Sequence, residues 1–160
     1  MIFTGELPQA DECLFGIPMH NLGPATKFKL WLEHILRFGV TICASPSGPL
    51  GTLGGKRAAF IIAAGGDSGR SSGNGNASLN FVEPWLRAMF GYLGLENMQF
   101  ILVDGTAKVK TGECDREASL SPHIEAIRAL FFRDPLFATN TVVGQGDPQA
   151  GWAACGVILH

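Results

Sequence analysis

Three short apolar runs constrain this chain more than any other feature. They are Cys13-Leu14-Phe15-Gly16-Ile17, closed by Pro18; Ala58 to Ala64, closed by Gly65-Gly66; and Phe100-Ile101-Leu102-Val103, closed by Asp104-Gly105. In none does apolar alternate with polar. Each therefore predicts a strand covered on both faces, as in a parallel sheet held between helices. Helical periodicity lies between and after the runs. Residues 25–38 set Phe28, Trp31, Leu32, Ile35 and Leu36 on one stripe, with Pro24 expected in the first turn and Gly39 just past the end. Residues 82–93 repeat the pattern with Trp85, Leu86, Met89, Phe90 and Leu93, and Pro84 fits that first turn. Residues 122–132 carry Ile124, Ile127, Leu130 and Phe131 behind a Ser121-Pro122 start. The order β-α-β-α-β-α predicts an α/β domain with a parallel sheet and right-handed crossovers.

Two segments break this rhythm. Residues 39–56 form a Gly/Pro/Ser-rich excursion with room for a short strand at Val40-Thr41-Ile42. Residues 65–76 hold five Gly and three Ser, directly after a central strand. Ligands of open α/β sheets bind beyond the carboxyl ends of the strands, so this loop is the more informative. From Arg133 to His160 the chain has three charges and an apolar end, Gly156-Val157-Ile158-Leu159. That tail suits an edge strand or a cover over the sheet, or is ill-ordered. Residues 1–132 are read as one domain and 133–160 as a divergent tail.

Charge and cysteine content narrow the functional classes. The net charge of −2 offers no basic footprint for nucleic acid, and no apolar run approaches a membrane span. Cys13, Cys43, Cys114 and Cys155 form no CxxC pair, which excludes a zinc ribbon and fits free thiols in a reducing compartment. Glu6, Asp11 and Glu12, without an early Lys or Arg, do not make a secretory signal, so a cytoplasmic protein is expected.

Two familiar motifs fail on inspection. Gly66-Asp67-Ser68-Gly69 matches the nucleophile segment of trypsin-like proteases, but those need a double β-barrel larger than this helical chain allows. Gly54-Gly55-Lys56-Arg57 lacks the leading Gly of a phosphate loop, since position 50 is Leu50, and Arg57 stands where Ser or Thr is required. His20, His34, His123 and His160 lack metal-ligand spacing, and only His20 sits at a strand end. The best local signal is Gly16 to Pro24: a buried strand stops at Pro18 and turns into a helix. It reads either as a plain β-α turn or as a loop presenting backbone N–H groups to an electron-rich ring or an anion.

Pro18-Met19-His20-Asn21-Leu22, Gly39-Val40-Thr41, Gly48-Pro49-Leu50-Gly51, Gly55-Lys56, Ala63-Ala64-Gly65-Gly66, Glu83-Pro84-Trp85-Leu86 and Gly91 to Leu95 follow in register. Over roughly residues 10–132 the chain thereby resembles the FMN-dependent NADH azoreductases, within the flavodoxin-like NAD(P)H:quinone oxidoreductases. The resemblance implies a flavodoxin-like three-layer α/β/α fold with strand order 2-1-3-4-5. It implies FMN beyond the strand ends, homodimers with the active site at the subunit interface, and ping-pong hydride transfer. Electrons pass from NAD(P)H as co-substrate to a small-molecule acceptor, a quinone or an azo compound. The family's ring-wrapping turn maps onto Pro18, Met19, His20, Asn21 and Leu22, and its pyrimidine-side loop onto Ala63, Ala64, Gly65 and Gly66. No side chain stands out as catalytic, because the flavin carries the hydride and the protein orients it.

The departures are as informative. His20 and Leu22 replace aromatic residues, Ala63 and Ala64 replace Ser and Arg, and Cys43 and Ala44 replace Arg and Tyr. The family's first two strands, its Ser-rich phosphate loop and their helices have no counterpart, so the first strand here resembles the family's third. About three lost phosphate contacts correspond to ~4–9 kcal/mol, or roughly 10³- to 10⁶-fold in affinity. The alternative is a non-catalytic interaction or regulatory module that keeps the fold without FMN.

Overall fold

A computed structural model describes residues 7–67, 76–131 and 157–159. The apolar runs form strands β1 (Glu12–His20), β5 (Arg57–Ala63) and β6 (Asn97–Val103), which pair in parallel in the order β1-β5-β6. β2 (Gly23–Pro24) folds back antiparallel on the end of β1. Helix α1 (Thr26–Ile35) follows, then a hairpin of β3 (Ile42–Ser45) and β4 (Gly48–Gly51). Helix α2 (Val82–Tyr92) connects β5 to β6, and α3 (Ala107–Thr111) and α4 (Arg116–Phe131) come after β6. β7 (Val157–Leu159) pairs antiparallel with Cys13–Phe15, so part of the tail is an edge strand; residues 132–156 and 160 lie outside the described residues. The sheet is thus mixed, mostly parallel and flanked by helices.

Burial alternates along the strands, although hydrophobicity does not. Cys13, Phe15 and Ile17 of β1, and Ala58, Phe60 and Ile62 of β5, are buried, while their neighbours are only half-buried. The buried face packs with Phe28, Leu32 and Ile35 of α1 and with Val82, Leu86 and Phe90 of α2. The other face is less covered than the sequence predicts, because α4 lies mainly against β6. An aromatic row crosses the sheet in register. Phe15 stacks on Phe60 at 5.0 Å, and Phe60 on Phe100 at 4.8 Å. Phe90 closes edge-on at 4.9 Å to Phe60, and the Arg87 guanidinium sits 4.2 Å from the Phe100 centroid. Such packing adds roughly 0.5–1.5 kcal/mol per pair beyond area burial.

Three helix boundaries differ from expectation. Pro24 lies in β2 instead of the first turn of α1, because the chain reverses before it enters the helix; Ala25 is the N-cap. α1 stops at Ile35 because the Thr41 hydroxyl, fully buried, donates to the Ile35 carbonyl and accepts from the Arg37 N–H at 3.0 Å. α4 begins at Arg116 and not at Ser121-Pro122. An Asp115 carboxylate oxygen accepts from the N–H groups of Glu117 and Ala118 at 2.9 and 3.4 Å, an N-cap that outweighs the interior Pro122.

The 39–56 excursion is pinned to the end of α2. Leu53 N–H donates to the Leu93 carbonyl at 2.9 Å, and a Cβ on Gly51 would meet the Leu93 carbonyl carbon at 1.9 Å. Only glycine permits this approach. Lys56 donates to the carbonyls of Ala10 and Pro8 at 2.6 and 2.9 Å, so it ties down the segment before β1.

Candidate functional site

The register of the sheet places the site. Pro18 of β1 sits opposite Ala63, the last residue of β5, so the turns that follow both strands leave the same edge, β1 running two residues further. Met19 and His20, the last two residues of β1, pair with Pro24 and Gly23, which leaves Asn21 and Leu22 as the two residues of a tight reversal. Both have positive φ, 48° and 68°, the pattern of a type I′ turn. Asn21 adopts this readily. Leu22 does so at a cost of about 1–2 kcal/mol, a strain of the kind held at ligand sites. Phe81 N–H, just before α2, donates to the Leu22 carbonyl at 3.3 Å and holds the turn down.

After β5, Ala64 is buried and donates to the Val103 carbonyl at 2.8 Å. The following backbone is stitched to the loop after β6. The Ala64 carbonyl accepts from Thr106 N–H at 3.0 Å and from its hydroxyl at 2.9 Å, the Gly65 carbonyl from Ala107 N–H at 3.1 Å, and the Gly66 carbonyl from Gly105 N–H at 3.1 Å. Lys108 Nζ meets Asp67 Oδ1 at 3.2 Å. The N–H groups of Gly65 and Gly66 bond to no other described residue.

Between the two turns lies a cleft of about 270 Å³, lined by Met19, Asn21, Leu22, Ala64, Gly65, Gly66, Asp67 and Leu79. Six of the nine residues singled out from sequence therefore meet at one place. Pro18 and Ala63 lie just beneath, as the last residues paired between β1 and β5, and exposed His20 is outside the lining. Within Gly16–Pro24, Met19, Asn21 and Leu22 wall the cleft. Sequence reasoning missed Asp67 and Leu79. Asp67 directly follows Gly65-Gly66, a signal within reach. Leu79, on a single 3₁₀ turn at Asn76–Leu79, has no comparable signal. Residues 68–75 of the glycine loop lie outside the described residues.

No other described cluster competes for a role. Among the described residues, no group of three or more His, Cys, Asp or Glu is placed to hold a metal, and no helix is long and apolar enough to cross a membrane. Cys13 is at the far end of β1 from the cleft. Burial pushes its thiol up from 9.0 to about 11, against a smaller opposing pull from Lys56, which makes it a poor nucleophile.

A mostly parallel sheet with a cleft beyond the carboxyl ends of neighbouring strands is the arrangement of the open α/β ligand-binding class. Residues 4–130 match the flavodoxin-like fold, and the chain belongs to that family. The FMN-dependent NADH:quinone oxidoreductase 3 of Burkholderia lata is 54% identical over 129 residues, covering 81% of this chain and 61% of the relative. The FMN-dependent NADH:quinone oxidoreductase of Acidobacterium capsulatum is 36% identical over 126 residues, 79% of this chain and 60% of the relative. The crystal structure of an FMN-dependent NADH-azoreductase from Bacillus anthracis str. Ames Ancestor in complex with FMN aligns with a TM-score of 0.59 at 25% identity. That alignment covers 79% of this chain and 59% of the azoreductase. The chain spans about three fifths of the length of these relatives.

Proposed function

We propose that this chain forms the ring-binding part of an FMN-dependent oxidoreductase that passes electrons from NAD(P)H to quinones or azo compounds. The observation that carries this reading is the cleft between the two turns, with Gly65 and Gly66 N–H groups that bond to no other described residue. Bound FMN would supply the chemistry, accepting a hydride from NAD(P)H and returning the electrons to the acceptor. The protein's part is placement. Met19, Asn21 and Leu22 would form one wall against a flat ring, and the Gly65 and Gly66 N–H groups would donate to it. Ala64, also in the lining, is buried. None of these side chains holds a proton in the reaction, so hydride transfer depends on orientation and on exclusion of water.

The family resemblance and the relatives' names support this assignment. The finer parts of the reading are a homodimer, a cytoplasmic location, and a division into a partial domain at 1–132 with a tail at 133–160. Exposed Phe38, Val40 and Leu50 on the excursion offer apolar surface for a second copy. The test is to titrate the purified chain with FMN, follow the bound-flavin spectrum, and then add NADH. Bleaching of a bound flavin is the expected result. A protein that stays colourless at all FMN concentrations removes the enzymatic reading.

A further inference from the structure

Thr106 stands at the N-cap position of α3, where a threonine hydroxyl ordinarily accepts a bond from the helix's own first turn. It makes no such bond. The hydroxyl donates across to the Ala64 carbonyl at 2.9 Å, beside the Thr106 N–H at 3.0 Å, so both lone pairs of that oxygen are taken. The neighbouring Gly65 and Gly66 carbonyls are held by Ala107 and Gly105 N–H, each at 3.1 Å.

The peptide group turns this into a statement about donors. In a trans peptide the C=O of one residue and the N–H of the next point in opposite directions, and no described peptide bond is cis. Three successive carbonyls, 64 to 66, are bound to the loop after β6. The N–H groups of Gly65, Gly66 and Asp67 must therefore point away from that loop, and all three residues line the cleft. We infer that Thr106 is a positioning residue: without touching the ligand, its hydroxyl fixes the Ala64–Gly65 peptide plane and keeps the row of N–H donors aimed at the bound ring. This rests on the flavin reading above.

The test uses the full chain, labelled with ¹⁵N, as wild type, Thr106→Val, Thr106→Ser and Thr41→Val. Two quantities are measured: backbone order at the Gly65, Gly66 and Asp67 amides, and FMN affinity by absorbance titration. Thr106→Val is expected to lower the order parameters from about 0.85 toward 0.6 and to weaken FMN binding about 3- to 10-fold. Thr106→Ser restores both. Thr41→Val, which loses a buried hydroxyl away from the cleft, lowers the melting temperature but leaves these amides and the affinity unchanged. Thr106→Ala replaces Thr106→Val if the added methyl prevents folding. Amides as ordered in Thr106→Val as in wild type, or no recovery in Thr106→Ser, overturn the inference. Absence of FMN binding by the wild type overturns the flavin reading instead, while the amide order still decides whether Thr106 sets these planes.

Discussion

Replacing Gly51 by alanine tests how the hairpin excursion is held. A Cβ at this position would stand 1.9 Å from the Leu93 carbonyl carbon, 2.1 Å from its oxygen and 2.3 Å from the Gly94 nitrogen. All three are backbone atoms at the end of α2, so no side-chain rotation relieves the clash. The hairpin has to lift, which breaks the Leu53 N–H to Leu93 carbonyl bond and uncovers Leu53, now 2% exposed. The bond contributes roughly 1 kcal/mol and the leucine about 1.5–3 kcal/mol, for a loss of about 2.5–4 kcal/mol. For a chain of 160 residues this lowers the melting temperature by about 5–16 °C. Gly54→Ala is the control, since a Cβ there meets nothing within 4 Å. Thermal unfolding followed by circular dichroism should show a large drop for Gly51→Ala and almost none for Gly54→Ala. Equal melting temperatures for Gly51→Ala and wild type would refute the close-approach argument.

Other perturbations have defined outcomes. Thr41→Val leaves the Ile35 carbonyl and the Arg37 N–H without their partner, and urea denaturation should show a loss of about 1–3 kcal/mol. Leu22→Asn relieves a left-handed leucine and should raise the urea midpoint by roughly 0.5–1 kcal/mol equivalent; a lower midpoint counts against strain at this turn. Cys13 holds its proton in the folded state up to about pH 11, whereas the unfolded thiol loses it near 9.0. Its contribution is complete below pH 9 and is lost as pH rises through the folded value, about 2–3 kcal/mol in all. Stability measured from pH 8 to 11 should fall accordingly, and Cys13→Ala should flatten that slope. FMN and riboflavin should bind this chain within about threefold of each other, since no phosphate contact is assigned to its cleft and each charged one contributes ~1.5–3 kcal/mol; a strong preference for FMN would reveal a phosphate seat.

The parallel strands were legible because their apolar runs are unbroken and end in Pro or Gly. The two turns were legible for the same reason: Pro18 and Gly65-Gly66 mark strand ends that a parallel sheet places at one edge. Helix boundaries were harder. Pro122 looks like a start from local rules, yet Asp115 caps six residues of helix before it. Pro24 looks like a first-turn residue, yet Asn21 and Leu22 reverse the chain ahead of it. Leu79 sits on a single 3₁₀ turn that neither composition nor periodicity encodes, whereas the apolar end of the tail already suited the edge strand β7. Burial, too, is uneven between sheet faces despite uniform strand hydrophobicity, because helices and not strands decide coverage.

The last pairing of β1 with β5, at Pro18 and Ala63, makes strand length a matter of parity. One residue added to either strand would advance its turn by about 3.3 Å and send every later side chain to the opposite face. Met19 would then swap sides relative to Gly65, and the cleft would lose a wall without any of its residues being mutated. Insertions within these strands should therefore be tolerated only in pairs.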